Sequence, residues 1–228
     1  RQRQMCIRDS YLRLPIKSEY TIDDMADDAI SVLDELKISK AHILGISMGG
    51  MIAQIIAANY PLRTKTFTLI ASTASTPSPL NGPTRNVRKL LMERTKNPNS
   101  TIDEKVNRTK RLFKEIGYQG INLDTEEFYE NISAAIDRGG KDDTGFSRQL
   151  TAILGSKNRL DKVSSIKAPT LIIHGEGDPF INVKIAYKSN KLIKNSKLIV
   201  LPEMRHLIEP PVFEKFKENL LVHLASVK

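Results

Sequence analysis

The chain has 228 residues, 40% of them hydrophobic, and a formal net charge of +9. That length and apolar content suffice for one sizeable core, and no apolar run is long enough to span a bilayer, so a cytoplasmic protein without stable membrane insertion is expected. The basic balance comes with no nucleic-acid motif, and nucleic acid is not expected as a partner.

Residues 1–10 stand apart. Met5-Cys6-Ile7-Arg8-Asp9-Ser10 resembles the translation of a transposon adapter used in sequencing libraries, of the kind seen at the ends of metagenomic reading frames. On this reading residues 1–10 carry no fold information and the natural protein begins upstream. The leader's three arginines and one aspartate leave +7 for the remainder, and Cys6 is the only cysteine. Neither a disulfide framework nor a thiolate metal site is therefore expected, and no cofactor is implied.

Residues 20–36 read as a helix. Thr21 and Asp24 have capping-box spacing, and Ile22, Met25, Ala29, Val32, Leu33 and Leu36 recur at threes and fours as one buried stripe. Ala41 to Ile46 reads as a strand, and residues 48–59 as a largely buried apolar helix ended by Asn59-Tyr60-Pro61. Thr64 to Ala71 is the next strand, rich in β-branched residues. A Ser/Thr/Pro/Gly loop over 72–83 marks a boundary.

From there to Arg159 the pattern is helical. One helix carries Val87, Leu90 and Leu91; a second carries Val106, Leu112, Phe113 and Ile116. A third carries Phe128, Tyr129, Ile132 and Ile136, and a fourth Phe146, Leu150, Ile153 and Leu154. Strand–helix alternation then resumes with a buried strand at 169–174, a helix near 183–193 and a strand at 197–201. A C-terminal helix from Val212 to Ala225 is expected to bury Phe213, Phe216, Leu220 and Leu224. The organisation is an α/β core over 11–76 and 160–228, interrupted by a helical lid over 77–159.

The chemistry centres on Gly45-Ile46-Ser47-Met48-Gly49, a G-x-S-x-G pattern between a strand and a helix. A serine on that turn takes a strained, positive-φ conformation. Gly45 and Gly49 would approach too closely to carry side chains. The helix N-terminus aims its N–H groups at a developing oxyanion.

A serine hydroxyl needs a base, and the base an orienting acid. Among four histidines, His206 alone lies in a loop after a strand; His42 starts the nucleophile strand, His174 ends a strand and His223 sits in the terminal helix. Asp178 and Glu176 are the acid candidates, and Asp178, deeper in the loop before Pro179, is preferred.

The order Ser47, Asp178, His206 is that of α/β-hydrolases. The chain resembles that superfamily, and within it bacterial esterases similar to aclacinomycin methyl esterase. GISMGGMIAQ (45–54), RQLTAILGS (148–156), APTLIIHGEGDP (168–179) and LPEMRHLIEPP (201–211) match its landmarks in order. The resemblance implies an α/β-hydrolase fold with a mostly parallel sheet, and a serine hydrolase acting on a small carboxylic ester. It makes Ser47 the nucleophile, His206 the base, Asp178 the acid and the Met48 N–H one oxyanion donor. Lactonase, aminopeptidase, perhydrolase and a low-turnover ligand-binding protein remain alternatives on the same fold. A haloalkane dehalogenase is disfavoured, because it would want a carboxylate at position 47.

The sequence departs from the family in two places. Glu203 and Arg205 replace glycines usually found before the base. The family's upstream His-Gly loop, source of a second oxyanion donor, does not precede Thr21, so the early strands are expected to be missing. Finally, residues 85–114 hold ten Lys/Arg and three Asp/Glu. The plain reading is a solvated face of amphipathic helices; the sharper one is attraction of an anionic substrate or membrane surface.

Overall fold

A computed structural model describes residues 19–75, 82–96, 100–139 and 144–227. The leader, the first residues of the core segment, positions 77–81 of the lid and the Phe146 side chain lie outside what is described.

The core is built on four parallel strands in the order β1 (Ala41–Ile46), β2 (Thr64–Ile70), β3 (Thr170–Gly175) and β4 (Ser196–Leu201). Parallel neighbours need crossovers, and helices supply them. Helix α1 (Ile22–Glu35) precedes β1, and α2 (Met48–Asn59) with a short 3-10 turn (Pro61–Arg63) joins β1 to β2. The sheet alternates its side chains between two cores. Phe67, Leu69 and Ile172 meet Ala53 and Ala57 of α2 on one face; Ile70, Leu171 and Ile173 meet Phe216 and Leu220 on the other. Strand β3 is buried along its whole length, which is why it reads as an unbroken apolar run.

Between β2 and β3 lie α3 (Arg85–Lys96), α4 (Ile102–Ile116), α5 (Glu126–Arg138), α6 (Thr144–Gly155) and α7 (Leu160–Ser164). No strand occurs among the described residues of this stretch. Val87 of α3 and Val106 and Ile116 of α4 are buried, and Phe113 of α4 meets Phe128 of α5 edge-on at 5.8 Å. After β3 come α8 (Lys184–Leu192), β4, α9 (Pro210–Glu214) and α10 (Lys217–Ala225).

Two local expectations are corrected. The buried line of α1 is Ile22, Ala26 and Ile30, which pack on Met51, Ile55 and Ile56 of α2. Val32 and Leu36 are more than half exposed, because the stripe follows the i, i+4 row that α2 touches. The C-terminal helix is two helices: Phe216 leaves the helical region at φ −125°, turning inward to burial while Phe213 stays 36% exposed. On α5, as the pattern places it, Tyr129 is exposed and donates from its hydroxyl to Asp103 at 2.5 Å. That carboxylate holds the Tyr129 phenol above its ordinary pKa.

Candidate active site

Ser47 sits between β1 and α2 with φ 52° and ψ −119°, the positive φ expected of a strained turn. The strain is held by its neighbours. The Ser47 N–H donates to the Ile70 carbonyl at 3.0 Å, and the Ser72 hydroxyl donates to the Ser47 carbonyl at 2.6 Å. Gly50 and Met51 N–H groups also converge on that carbonyl. Met48 is the first residue of α2, where a helix leaves its N–H without an intrahelical acceptor.

The expected reciprocal clash of the two elbow glycines is one-sided. A Cβ on Gly45 would lie 2.2 Å from the Gly49 carbonyl oxygen, whereas one on Gly49 would meet nothing within 4 Å. It is Gly50 that lies tight against the next strand's loop, where a Cβ would come within 2.5 Å of the Ser72 Cβ. The motif's second essential small residue is therefore one position later than the pattern indicates.

His206 and Asp178 reach Ser47 from other strands. The His206 Nε2 lies 3.0 Å from the Ser47 Oγ, and its Nδ1 lies 2.9 Å from the Asp178 Oδ2. The other carboxylate oxygen, Oδ1, accepts the N–H groups of Phe180 at 2.7 Å and Ile181 at 3.0 Å. Asp178 and His206 are both buried. Glu176, the reserve acid, is exposed at the turn. The three residues lie just beyond the C-terminal ends of β1, β3 and β4, where ligands bind in open parallel sheets.

His206 is held on several sides. Phe180 stacks on its imidazole with centroids 4.6 Å apart and planes 22° apart. The His206 backbone N–H donates to the Ile116 carbonyl at the end of α4, so that helix is tied to the His206 loop. Glu209 adds a second tie by accepting the Tyr118 N–H at 2.8 Å. Gly175 lets the β3 end touch the base loop: a Cβ there would fall 2.2 Å from the Arg205 carbonyl oxygen and 2.3 Å from that of Met204. Glu203 is exposed, and the Arg205 guanidinium extends to the Gly177 carbonyl at 3.5 Å.

The remaining histidines lie apart from Ser47. His42 pairs with the Thr66 hydroxyl and His223 with the Phe67 carbonyl. His174 lies behind the acid, with Nε2 2.8 Å from the Ile181 carbonyl and 3.4 Å from the Asp178 Oδ2. Burial lowers its pKa below the ordinary 6.5, so the neutral ring donates to Ile181 and fixes the acid loop. As pH falls through 6.5 the unfolded chain takes up a proton that the folded chain refuses. Stability is then lost at up to about 1.4 kcal/mol per pH unit until the lower folded pKa is reached. Urea melts between pH 7.5 and 5 should show that loss, and His174→Gln should flatten it.

Sequence reasoning missed Arg159. Its buried guanidinium donates to the Thr73 carbonyl at 3.0 Å, the Ser156 hydroxyl at 3.0 Å and the Gln54 side-chain oxygen at 3.3 Å. It thereby clamps the loop after β2 to the segment that follows α6. Only its place at the lid boundary signalled it. Among the described residues no group of three or more His, Cys, Asp or Glu is arranged to hold a metal ion. No helix among them is long and apolar enough to cross a membrane.

A family model described as alpha/beta hydrolase fold matches residues 3–208. The chain belongs to the α/β-hydrolase fold family. This α/β-hydrolase is 24% identical over 219 residues to rhodomycin D methylesterase DnrP of Streptomyces peucetius, covering 90% of this chain and 73% of the relative. It is 26% identical to a 2-hydroxy-6-oxononadienedioate/2-hydroxy-6-oxononatrienedioate hydrolase of a Pseudomonas species, covering 92% and 72%. In fold it is similar to a meta-cleavage product hydrolase from Pseudomonas fluorescens IP01, with a TM-score of 0.70 and 21% identity over 92% of this chain and 74% of that one. Family, fold and relatives together make it an enzyme of the hydrolase class.

Proposed function

We propose that this hydrolase cleaves a small carboxylic ester through an acyl-serine intermediate. The observation that carries the reading is the continuous hydrogen-bonded line from the Ser47 Oγ through His206 to the buried Asp178. The Ser47 Oγ attacks the ester carbonyl while His206 Nε2 takes its proton. The tetrahedral oxyanion forms beside the Met48 N–H at the positive end of α2. Its collapse breaks the C–O bond, and His206 returns the proton to the departing alkoxide. Water then attacks the acyl carbonyl with His206 again as base, releasing the acid and free Ser47. Asp178 holds the imidazole in its Nδ1–H tautomer throughout, its second oxygen being occupied by two backbone N–H groups.

A p-nitrophenyl ester tests this directly. Rapid mixing should give a burst of nitrophenolate equivalent to the enzyme present, followed by slower turnover. Release no faster than in buffer would contradict the reading.

Phe180 adds to the base's function. Its stacked ring orients the imidazole and favours the imidazolium formed during attack. Phe180→Leu should lower kcat/KM about 3- to 10-fold, the worth of one aromatic pair. The Asp178–Phe180 backbone bond is kept by that change, so a drop of several orders of magnitude would mean the loop had collapsed, which circular dichroism would reveal.

A further inference from the structure

A cavity of about 270 Å³ opens beside Ser47, at the low end for sites that enclose a drug-sized molecule. Its described lining contains no charged side chain. Met48 and Met51 from α2, Leu91 from α3, Leu150 and Ile153 from α6, and Phe180 from the acid loop form most of the wall. The Thr73 hydroxyl in that wall is occupied by its own turn, accepting the Ser75 N–H at 3.0 Å.

Three described cations near the cavity, Arg159, Arg88 and Lys89, are directed elsewhere. Arg159 gives its guanidinium to the Thr73 carbonyl, Ser156 and Gln54, behind the wall. On α3, Arg88 and Lys89 are exposed while Leu91 of the same helix faces the cavity. The basic surface of the lid is thus not the surface of the pocket. A carboxylate drawn into this cavity would lose its water and meet no cation among the described lining residues, whose polar members beside Ser47 are the neutral Thr73, Ser75 and Gln149. An alkyl or aryl group would exchange water for methionine, leucine and phenylalanine side chains.

We infer that the group bound beside Ser47 is compact, uncharged and apolar, a short alkyl or aryl acyl chain. This inference rests on the proposed ester hydrolysis and narrows its substrate class to neutral esters. It sets the chain apart from its Pseudomonas relative, whose name specifies a dioate.

The test uses two esters of one chain length, methyl hexanoate and monomethyl adipate, which differ in a terminal carboxylate. Their affinities for the Ser47→Ala chain, measured by calorimetry, read the pocket without turnover. Methyl hexanoate should bind at least ~30-fold more tightly, reflecting the cost of leaving a buried charge unpaired. Leu154 lines the cavity and is 44% exposed, so Leu154→Lys should fold and improve adipate binding about 10-fold. Equal affinities, a preference for the adipate, or binding of neither ester would overturn the inference. If Ser47→Ala binds methyl hexanoate but the unmodified chain does not hydrolyse it, ester hydrolysis fails while the apolar pocket stands.

Discussion

Ser47→Ala is expected to abolish labelling by a fluorophosphonate and to lower kcat on a p-nitrophenyl ester by about 10⁵- to 10⁶-fold. The magnitude follows from what remains. Without the hydroxyl, His206 has no proton to accept and no acyl intermediate can form. The Met48 N–H and the apolar cavity would still bind and polarise an ester, which leaves a small residual rate. The fold should survive, because the Ser47 backbone and not its Oγ makes the contacts to Ile70 and Ser72. Unchanged melting with lost labelling is the expected pair of results. Persistent labelling of the alanine chain would place the nucleophile elsewhere.

Gly175→Ala should also damage activity, less severely and by a different route. Position 175 ends β3, and an added Cβ would meet the Met204 and Arg205 carbonyl oxygens and the Met204 carbonyl carbon, all within 2.6 Å. These are backbone atoms with no rotamer to escape into. The base loop must therefore move away from the sheet end, and His206 follows it. Overpacking of this kind costs on the order of 3 kcal/mol. A shift of 1 Å at a catalytic group is worth about 100-fold in rate. Thermal unfolding should show the stability loss, and kcat at a temperature where the variant is folded should fall by about 100-fold. A variant with unchanged kcat would show that the base loop is free to adapt.

The core of this arrangement was legible in the sequence because its signals are local. A strand, a glycine-flanked serine and an apolar helix sit within the nineteen residues 41–59, so β1 and α2 begin and end where the pattern puts them. Asp178 and His206 follow strands in loops, and the structure brings both to Ser47. What escaped notice depends on distance in space. Arg159 and Ser72 matter through neighbours far along the chain. Gly175 and Gly50 matter through backbone approaches that no periodicity announces. Helix α1 shows the same limit: several apolar rows fit its spacing, and only the position of α2 selects Ile22, Ala26 and Ile30. The bend at Phe216 likewise comes from packing against the sheet, since no proline or glycine stands there.

The helical stretch between β2 and β3 connects these observations. It supplies Leu91, Leu150 and Ile153 to the cavity and, through the Ile116 carbonyl, a hydrogen bond to the backbone of the base. The cavity wall and the His206 backbone are thereby physically joined.

The central claim is that an acyl group passes through Ser47, and mass spectrometry of an acid-quenched reaction tests it most directly. With a p-nitrophenyl ester in excess, the peptide containing Ser47 should carry the added mass of the acyl group within the burst phase. The adduct should disappear as the ester is exhausted. Turnover with no adduct at Ser47, or with the acyl group on another residue, would contradict the account.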